Sequence, residues 1–155
     1  MFKIKVVGVG VALAAAASTV VLAAPANATD AGANAARSTK VYFENRTGCI
    51  LVNTASSLDH GIWTNGVPRD VSDGQTITWE SESSGFMTGT EGRAEFTAYE
   101  CSNSSLNRKQ VRVHWDNPFV GSNKYDEDGT DGAFKMTRSN GSGNNATVNW
   151  KVEGR

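Results

Sequence analysis

The chain has 155 residues, and its 15 Lys and Arg against 16 Asp and Glu give a formal net charge of −1 at pH 7. This balance argues against a nucleic-acid-binding protein, which needs a basic face to neutralise phosphates. It argues equally against simple electrostatic attraction to anionic lipid. With only two Cys, two His and no C-x-x-C pair, the sequence favours neither a zinc site nor a redox site.

Residues 1–28 have the three parts of a secretory signal peptide: the basic residues Lys3 and Lys5, an apolar run from Val6 to Ala24, and Ala26-Asn27-Ala28 as a small-x-small exit. A membrane anchor is the alternative, because a run of about 19 residues can just span a bilayer. The run is rich in Ala and Gly, however, and no basic stop-transfer cluster follows it. We therefore expect cleavage after Ala28 and a secreted protein. Loss of the two lysines leaves 15 − 2 = 13 basic against 16 acidic residues, a net charge of −3.

Both cysteines, Cys49 and Cys101, lie in the expected mature chain. In an oxidising compartment an isolated pair commonly forms a disulfide. Closing a loop of about 50 residues would stabilise the fold by roughly 4 kcal/mol on the chain-entropy model. The alternative is two free structural thiols.

Residues 29–39 are small and polar, and we expect a flexible N-terminal leader there. Residues 40–155 form the expected domain, in which alternation of apolar and polar residues predicts half-buried strands. A continuous apolar run, Cys49–Val52, follows an expected hairpin turn at 46–48 and is compatible with a more central strand. The alternating segments are Val41–Phe43, Ile77–Trp79, Ala94–Ala98, Val111–Trp115, Phe134–Met136 and Val148–Val152. No helical stripe is sustained over three turns, so we predict an all-β, single-domain antiparallel β-sandwich, with a barrel as the alternative.

Catalytic and metal-binding patterns are weak. No G-x-S-x-G elbow is present, so we predict a protein that is not an enzyme and has no cofactor. His114 falls in the outward phase of its strand, so we expect it to be a surface histidine. His60 is interpreted as a turn residue or, alternatively, as a ligand contact. The segment 126–131 is acidic, but it does not match the calcium-binding EF-hand loop, and a solvated acidic turn is the simpler interpretation.

The aromatic residues divide into two groups. Trp79, Trp115 and Trp150 fall in the inward phase of their strands, where core packing is the default. Trp63, Phe86 and Phe119 lie in turn-rich segments or just beyond a strand end. If these segments share one end of the domain, they form an aromatic patch suited to lipid headgroups or to stacking on sugars. Alternatively, these segments fold back and cap the core.

Three segments of the chain, taken in their order, resemble the bacterial crystal-protein branch of the aegerolysins: they are His60–Trp63, Ser81–Gly92 and Val113–Tyr125. The resemblance covers Lys40 to Val152. It implies a β-sandwich related in shape to the actinoporins and binding to membrane lipid, often a sphingolipid. It also implies that a larger pore-forming partner of the perforin class acts with some members. The chain departs from the usual family picture in its export signal and its expected disulfide. Residues 29–39 also lack the apolar stripe of the amphipathic helix with which actinoporins perforate membranes.

The leading hypothesis is a secreted, non-enzymatic lipid-binding protein of the aegerolysin type, which would serve as the targeting component of a two-component pore-forming toxin. The alternatives are a carbohydrate-binding module or lectin, and a hydrolase whose site the sequence does not reveal. The oligomeric state is left open. The expected binding residues are the aromatics Trp63, Phe86, Phe119 and Tyr125, the pocket floor of Trp115 and Asp116, and the hydrogen-bonding pair Ser122 and Asn123.

Overall fold

A computed structural model describes residues 35–155. The predicted signal peptide and most of the predicted leader therefore lie outside the described residues. The strands are β1 (Ser38–Arg46), β2 (Ile50–His60), β3 (Ile62–Asn65), β4 (Asp70–Val71), β5 (Thr76–Glu82), β6 (Thr90–Tyr99), β7 (Gln110–Asn117), β8 (Lys124–Asp126), β9 (Phe134–Asn140) and β10 (Asn145–Gly154). A short 3₁₀ helix, Ser104–Leu106, lies between β6 and β7.

The strands form two five-stranded sheets, which confirms the predicted β-sandwich. Sheet A has the order β3-β5-β1-β10-β9, and sheet B has the order β4-β2-β6-β7-β8. All six alternating segments are strands, because alternation buries one side chain in two against the opposite sheet. Neighbouring strands are antiparallel except β1 and β10, which run parallel with Val41 opposite Val148.

The chain changes sheets where a hairpin was expected. Residues 47–49 connect β1 in sheet A to β2 in sheet B, so no hairpin forms at 46–48. The buried side chain of Asn45 holds this crossing, because its Nδ2 donates to the carbonyls of Cys49 and Val71 at 2.8 and 2.9 Å. Its Oδ1 accepts from the backbone N–H and the hydroxyl of Thr47. A polar side chain thus replaces the backbone ladder that a hairpin would supply.

The sandwich begins before the boundary expected at Lys40. Strand β1 starts at Ser38, and Thr39 is buried. Arg37 also contacts the domain, because its Nε donates to the carbonyl of Pro118 at 3.0 Å. The last residues of the predicted leader therefore belong to the folded domain.

Aromatic rings fill the centre of the core. Phe43 stacks on Phe96 with ring centroids 4.9 Å apart, and Trp79 packs against both rings. Trp115 lies 6.1 Å from Trp79, and Trp150 is also buried. The predicted core role of the three inward-phase tryptophans is confirmed.

Cys49 and Cys101 form the predicted disulfide across a sequence separation of 52. The bond lies just beyond the opposed residues Ile50 and Tyr99, so it continues the β2–β6 ladder covalently. The alternative of two free thiols is wrong. In residues 35–155, no helix is long and apolar enough to cross a membrane.

Candidate functional site

The register of the strands brings five segments of the chain to one end of the sandwich. In sheet A, Ser38 at the start of β1 lies opposite both Glu82 and Asn145. In sheet B, the start of β6 lies opposite the end of β7. Asn117 joins the two sheets, because its Nδ2 donates to the carbonyls of Ser38 and Asn144, both at 2.9 Å. We call this region the loop end; it comprises residues 35–37, 61–62, 83–89, 118–123 and 141–144.

Large apolar side chains are exposed mainly at the loop end. Within residues 35–155, five large hydrophobic residues are exposed, and four of them are Ile62 (40%), Phe86 (92%), Met87 (56%) and Val120 (81%). The fifth, Tyr99 (42%), lies next to the disulfide at the opposite end. Single exposed apolar residues are ordinary on a protein surface, whereas a group at one end marks a contact surface.

The β5–β6 loop holds its apolar tip outward. The hydroxyl of Thr88 donates to the carbonyl of Gly85 at 2.9 Å and accepts from the Gly85 N–H at 3.1 Å. Met87 has a left-handed backbone with φ of 56°, which tightens the turn. The side chains of Phe86 and Met87 therefore project from a closed loop.

Phe119 differs from Phe86 because it is half-buried and braced. The Arg37 guanidinium lies over the Phe119 ring, with Cζ 4.9 Å from the ring centroid. Arg37 also donates to the carbonyls of Pro118 and Phe119. The β7–β8 connection is thus fixed to the start of β1 by one cation.

An open cleft of about 410 Å³ lies between the β5–β6 loop and Phe119. We call it the acidic cleft, because Glu91 and Asp116 line it together with His60, Met87 and Phe119. Glu91 faces two histidines, with Oε2 3.8 Å from Nε2 of His60 and Oε1 3.2 Å from Nε2 of His114. The cleft therefore combines carboxylates with an apolar rim.

A second open cleft, of about 680 Å³, lies on the other side of the β7–β8 connection. We call it the basic cleft, because Arg37, Lys124 and Arg138 line it. Ser122, Asn123 and Tyr125 also line this cleft and not the acidic one.

Tyr125 supports one wall of the basic cleft. The Arg138 guanidinium lies over its ring at 5.1 Å, and its hydroxyl donates to the Gly141 carbonyl at 2.8 Å. Burial raises the pKa of Tyr125 above its ordinary value, so the phenol keeps the proton that it donates.

A model of the aegerolysin family matches residues 51–154. The chain belongs to the aegerolysin family. Its fold is similar to that of the lipid binding protein Nakanori, with a TM-score of 0.64, 14% identity, and coverage of 81% of this chain and 74% of that one. RahU protein, solved in complex with a TRIS molecule, gives a TM-score of 0.63 at 13% identity over 79% of this chain and 98% of that one.

IP-1A from Alcaligenes faecalis gives a TM-score of 0.58 at 16% identity over 77% of this chain and 92% of that one. No match was found among curated proteins. At these identities the solved structures show the fold alone.

Two expectations about tryptophans are wrong in this aegerolysin. Trp63 was expected in a loop but lies in β3, half-buried against Trp115. The Gly-flanked segment is a strand because Gly61, with φ of 95°, turns the chain from sheet B into sheet A. Trp115 was expected on a pocket floor, but it is fully buried and its Nε1 donates to Ser81 Oγ at 3.0 Å.

The remaining predicted residues are split between three places. Phe86 lies at the exposed tip of the β5–β6 loop, and Asp116 and Phe119 line the acidic cleft. The basic cleft is lined by Ser122, Asn123 and Tyr125. His60 was expected in a turn but ends β2, and it lines the acidic cleft. His114 faces outward as expected, but it is held between Glu91 and Asp126.

Sequence reasoning missed Val120, Arg37 and Arg138. Val120 directly follows Phe119, so the loop signal that pointed to Phe119 extends to its neighbour. The sequence around the two arginines does not indicate a binding role, because their roles depend on contacts between segments far apart in the chain. Among residues 35–155, no group of three or more His, Cys, Asp or Glu side chains could hold a metal ion.

Proposed function

We propose that this aegerolysin is a secreted, non-enzymatic protein that binds membrane lipid through its loop end. The observation that carries the proposal is the concentration of exposed Ile62, Phe86, Met87 and Val120 at one end of the sandwich. Each such side chain gains about 1.5–3 kcal/mol if it is fully buried on binding. Secretion rests on the signal-peptide pattern of residues 1–28.

The acidic cleft supports recognition of a headgroup that carries a cation. Glu91 and Asp116 line the cleft, while the neighbouring Met87 and Phe119 supply apolar walls. An ammonium group would meet the carboxylates as the apolar tip enters the interfacial region. A sphingolipid with a zwitterionic headgroup fits this chemistry, and the family resemblance favours the same lipid class.

We further propose that a larger pore-forming partner of the perforin class acts after this protein has bound a membrane. The proposal rests on the family resemblance. The protein alone is expected to bind vesicles without releasing a trapped dye, because membrane insertion would have to break the paired ladders of both sheets. Efficient dye release by the pure protein would contradict the two-component arrangement.

Vesicle pelleting with two matched variants tests the lipid-binding proposal. Phe86→Ala removes an exposed aromatic ring at the loop end, and Tyr99→Ala removes one at the opposite end. We expect Phe86→Ala to weaken binding to sphingomyelin vesicles about tenfold, because a loss of about 1.4 kcal/mol has that effect. Tyr99→Ala should bind like the parent protein.

Neither variant should change the unfolding temperature, since both side chains are exposed. Equal binding by the two variants would exclude the loop end as the contact surface. A free glycan that abolishes vesicle binding by the parent protein would instead support the lectin alternative.

A further inference from the structure

We infer that the basic cleft is a second ligand site, which binds a phosphate monoester independently of the exposed apolar residues. The cleft is larger than the acidic cleft, at about 680 Å³ against about 410 Å³. Its ligand chemistry differs as well, since the acidic cleft suits a cation and the basic cleft suits an anion.

Three cations line the basic cleft, although the chain as a whole has a formal net charge of −1. None of the side chains that line it in the described part of the chain is a carboxylate. Neither Arg37 nor Arg138 forms a salt bridge with an Asp or Glu of residues 35–155, and only Lys124 approaches one, Asp116, at 3.7 Å. Positive charge is thus concentrated in a cleft whose two arginines have no internal counter-ion.

Both arginines are held in place by contacts that leave donors free. Arg138 stacks on Tyr125 and donates from Nη1 to the carbonyl of Asn140 at 3.0 Å. Arg37 stacks on Phe119 and donates to main-chain carbonyls. A guanidinium has five N–H donors, so each arginine keeps donors for a ligand, and stacking reduces the conformational freedom lost on binding.

Three of the four carbonyls of the β9–β10 turn, those of Gly141, Gly143 and Asn144, already accept hydrogen bonds. Asn123 Nδ2 donates to the carbonyls of Gly141 and Gly143, both at 2.9 Å, and the Tyr125 hydroxyl donates to Gly141 as well. The Asn144 carbonyl accepts from Asn117 and from the backbone of Ser38. Most of the turn carbonyls that would repel an anion are therefore already hydrogen-bonded.

The N–H groups of this turn complete the site. Those of Ser142 and Gly143, both exposed residues, donate to no acceptor within residues 35–155. Gly141 and Gly143 both have left-handed backbones, with φ of 100° and 90°. Consecutive free N–H groups in a turn of this kind form a concave anion-binding surface, and phosphate oxygens are strong acceptors for such donors.

Binding to vesicles of phosphatidylcholine, with and without phosphatidic acid, tests the inference. Phosphatidic acid carries a phosphate monoester, whereas the phosphate of phosphatidylcholine is a diester capped by choline. We expect the parent protein to prefer the vesicles that contain phosphatidic acid. Arg138→Gln should lower that preference about tenfold, because it removes a charge-assisted donor.

Arg69→Gln is the matched control, since Arg69 is exposed and adjoins β4, away from the cleft. Equal losses in Arg138→Gln and Arg69→Gln would overturn the inference and indicate general electrostatic attraction. Lys124→Gln is the second variant, because its side chain is exposed and its loss should leave the fold intact even if Arg138→Gln does not fold.

Inorganic phosphate, titrated without vesicles, identifies the source of the ligand. Saturable phosphate binding that depends on Arg138 would show that the cleft accepts soluble phosphate compounds. If only vesicle binding depends on Arg138, the cleft would be assigned to lipid headgroups. Both results support the site, and no dependence on Arg138 in either titration overturns it. Because Arg138→Gln should keep the sphingomyelin binding that Phe86→Ala weakens, the inference and the proposed function can fail separately.

Discussion

Trp63 packs edge-on against Trp115, with ring centroids 5.7 Å apart and ring planes inclined at 63°. Trp115 is fully buried, and it continues through Trp79 to the stacked pair Phe43 and Phe96. Trp63 is half-buried and lies beside Ile62, one of the exposed apolar residues of the loop end. A single row of aromatic rings thus joins the core to the proposed lipid-binding surface.

Trp63→Ala is expected to lower the free energy of unfolding by about 2–3 kcal/mol, somewhat less than for a fully buried tryptophan. Urea unfolding followed by circular dichroism measures the change. Trp63→Phe keeps a ring against Trp115 and should recover most of the loss. A loss under about 1 kcal/mol for the alanine variant would show that Trp63 is a surface residue.

Gly92→Ala should destabilise the domain by overpacking. A Cβ at this position would lie 2.6 Å from the Ser57 carbonyl oxygen and 2.7 Å from the Trp115 ring. Because neither the β2 backbone nor a buried indole can move freely, we expect a loss of about 1–3 kcal/mol. Thermal unfolding tests this, with Gly132→Ala as the control, since a Cβ there meets nothing within 4 Å. Equal unfolding temperatures would contradict the tight approach of β2 and β7 to Gly92.

Replacement of Cys49 and Cys101 by serine should lower the free energy of unfolding by up to about 4 kcal/mol. The bond lies at the end of the sandwich opposite the loop end, next to Ile50 and Tyr99. Vesicle binding should therefore survive in the double variant at temperatures where it remains folded. Loss of binding by a folded double variant would show that the disulfide shapes the loop end.

Asp131 should make stability depend on acid pH. The Ala133 N–H, donating at 2.9 Å, and the Lys109 ammonium, at 3.0 Å, lower the pKa of Asp131 below its ordinary value of 3.8. A folded-state pKa below the unfolded one contributes stability above pH 3.8, and this contribution is lost as the pH falls through the folded value.

Asp131→Asn should therefore be less stable than the parent near neutral pH, with a difference that shrinks as the pH falls below 3.8. Urea unfolding of both proteins, near neutral pH and again below pH 3.8, measures this difference in stability. Asp128→Asn removes a carboxylate from the same turn without the Lys109 contact and should show a smaller effect. A difference independent of pH would mean that the ionised carboxylate contributes nothing.

Most of the long strands could be predicted because they bury every second side chain, which gives their sequence a period of two. Strands β3, β4 and β8 have two to four residues, too few for that signal. The second half of β2 was missed for another reason. Residues 54–57 are exposed polar or small side chains at the sheet margin, so no apolar alternation marks them.

The candidate site was predictable only where it depends on local chain geometry. The exposure of Phe86 follows from its glycine-flanked turn, and the structure places it at the tip. Trp63 lies in similar glycine-flanked sequence, but Gly61 starts a strand there instead of a loop. Arg37 could not be assigned, because its partners Pro118 and Phe119 are 81 and 82 residues away and become neighbours only when the sheets meet.

The parallel pairing of β1 with β10 has a consequence for how the chain reaches its native state. The first strand lies at the centre of sheet A and keeps one side unpaired until the last strand of the domain arrives beside it. Pairing of such distant segments is slow, since the loop-closure entropy must be lost before the contacts form. If the proposed secretion carries the chain through an export channel from its N-terminus, sheet A cannot be completed until the C-terminal strand has emerged. The order of the strands would then delay closure of the sandwich until the end of translocation.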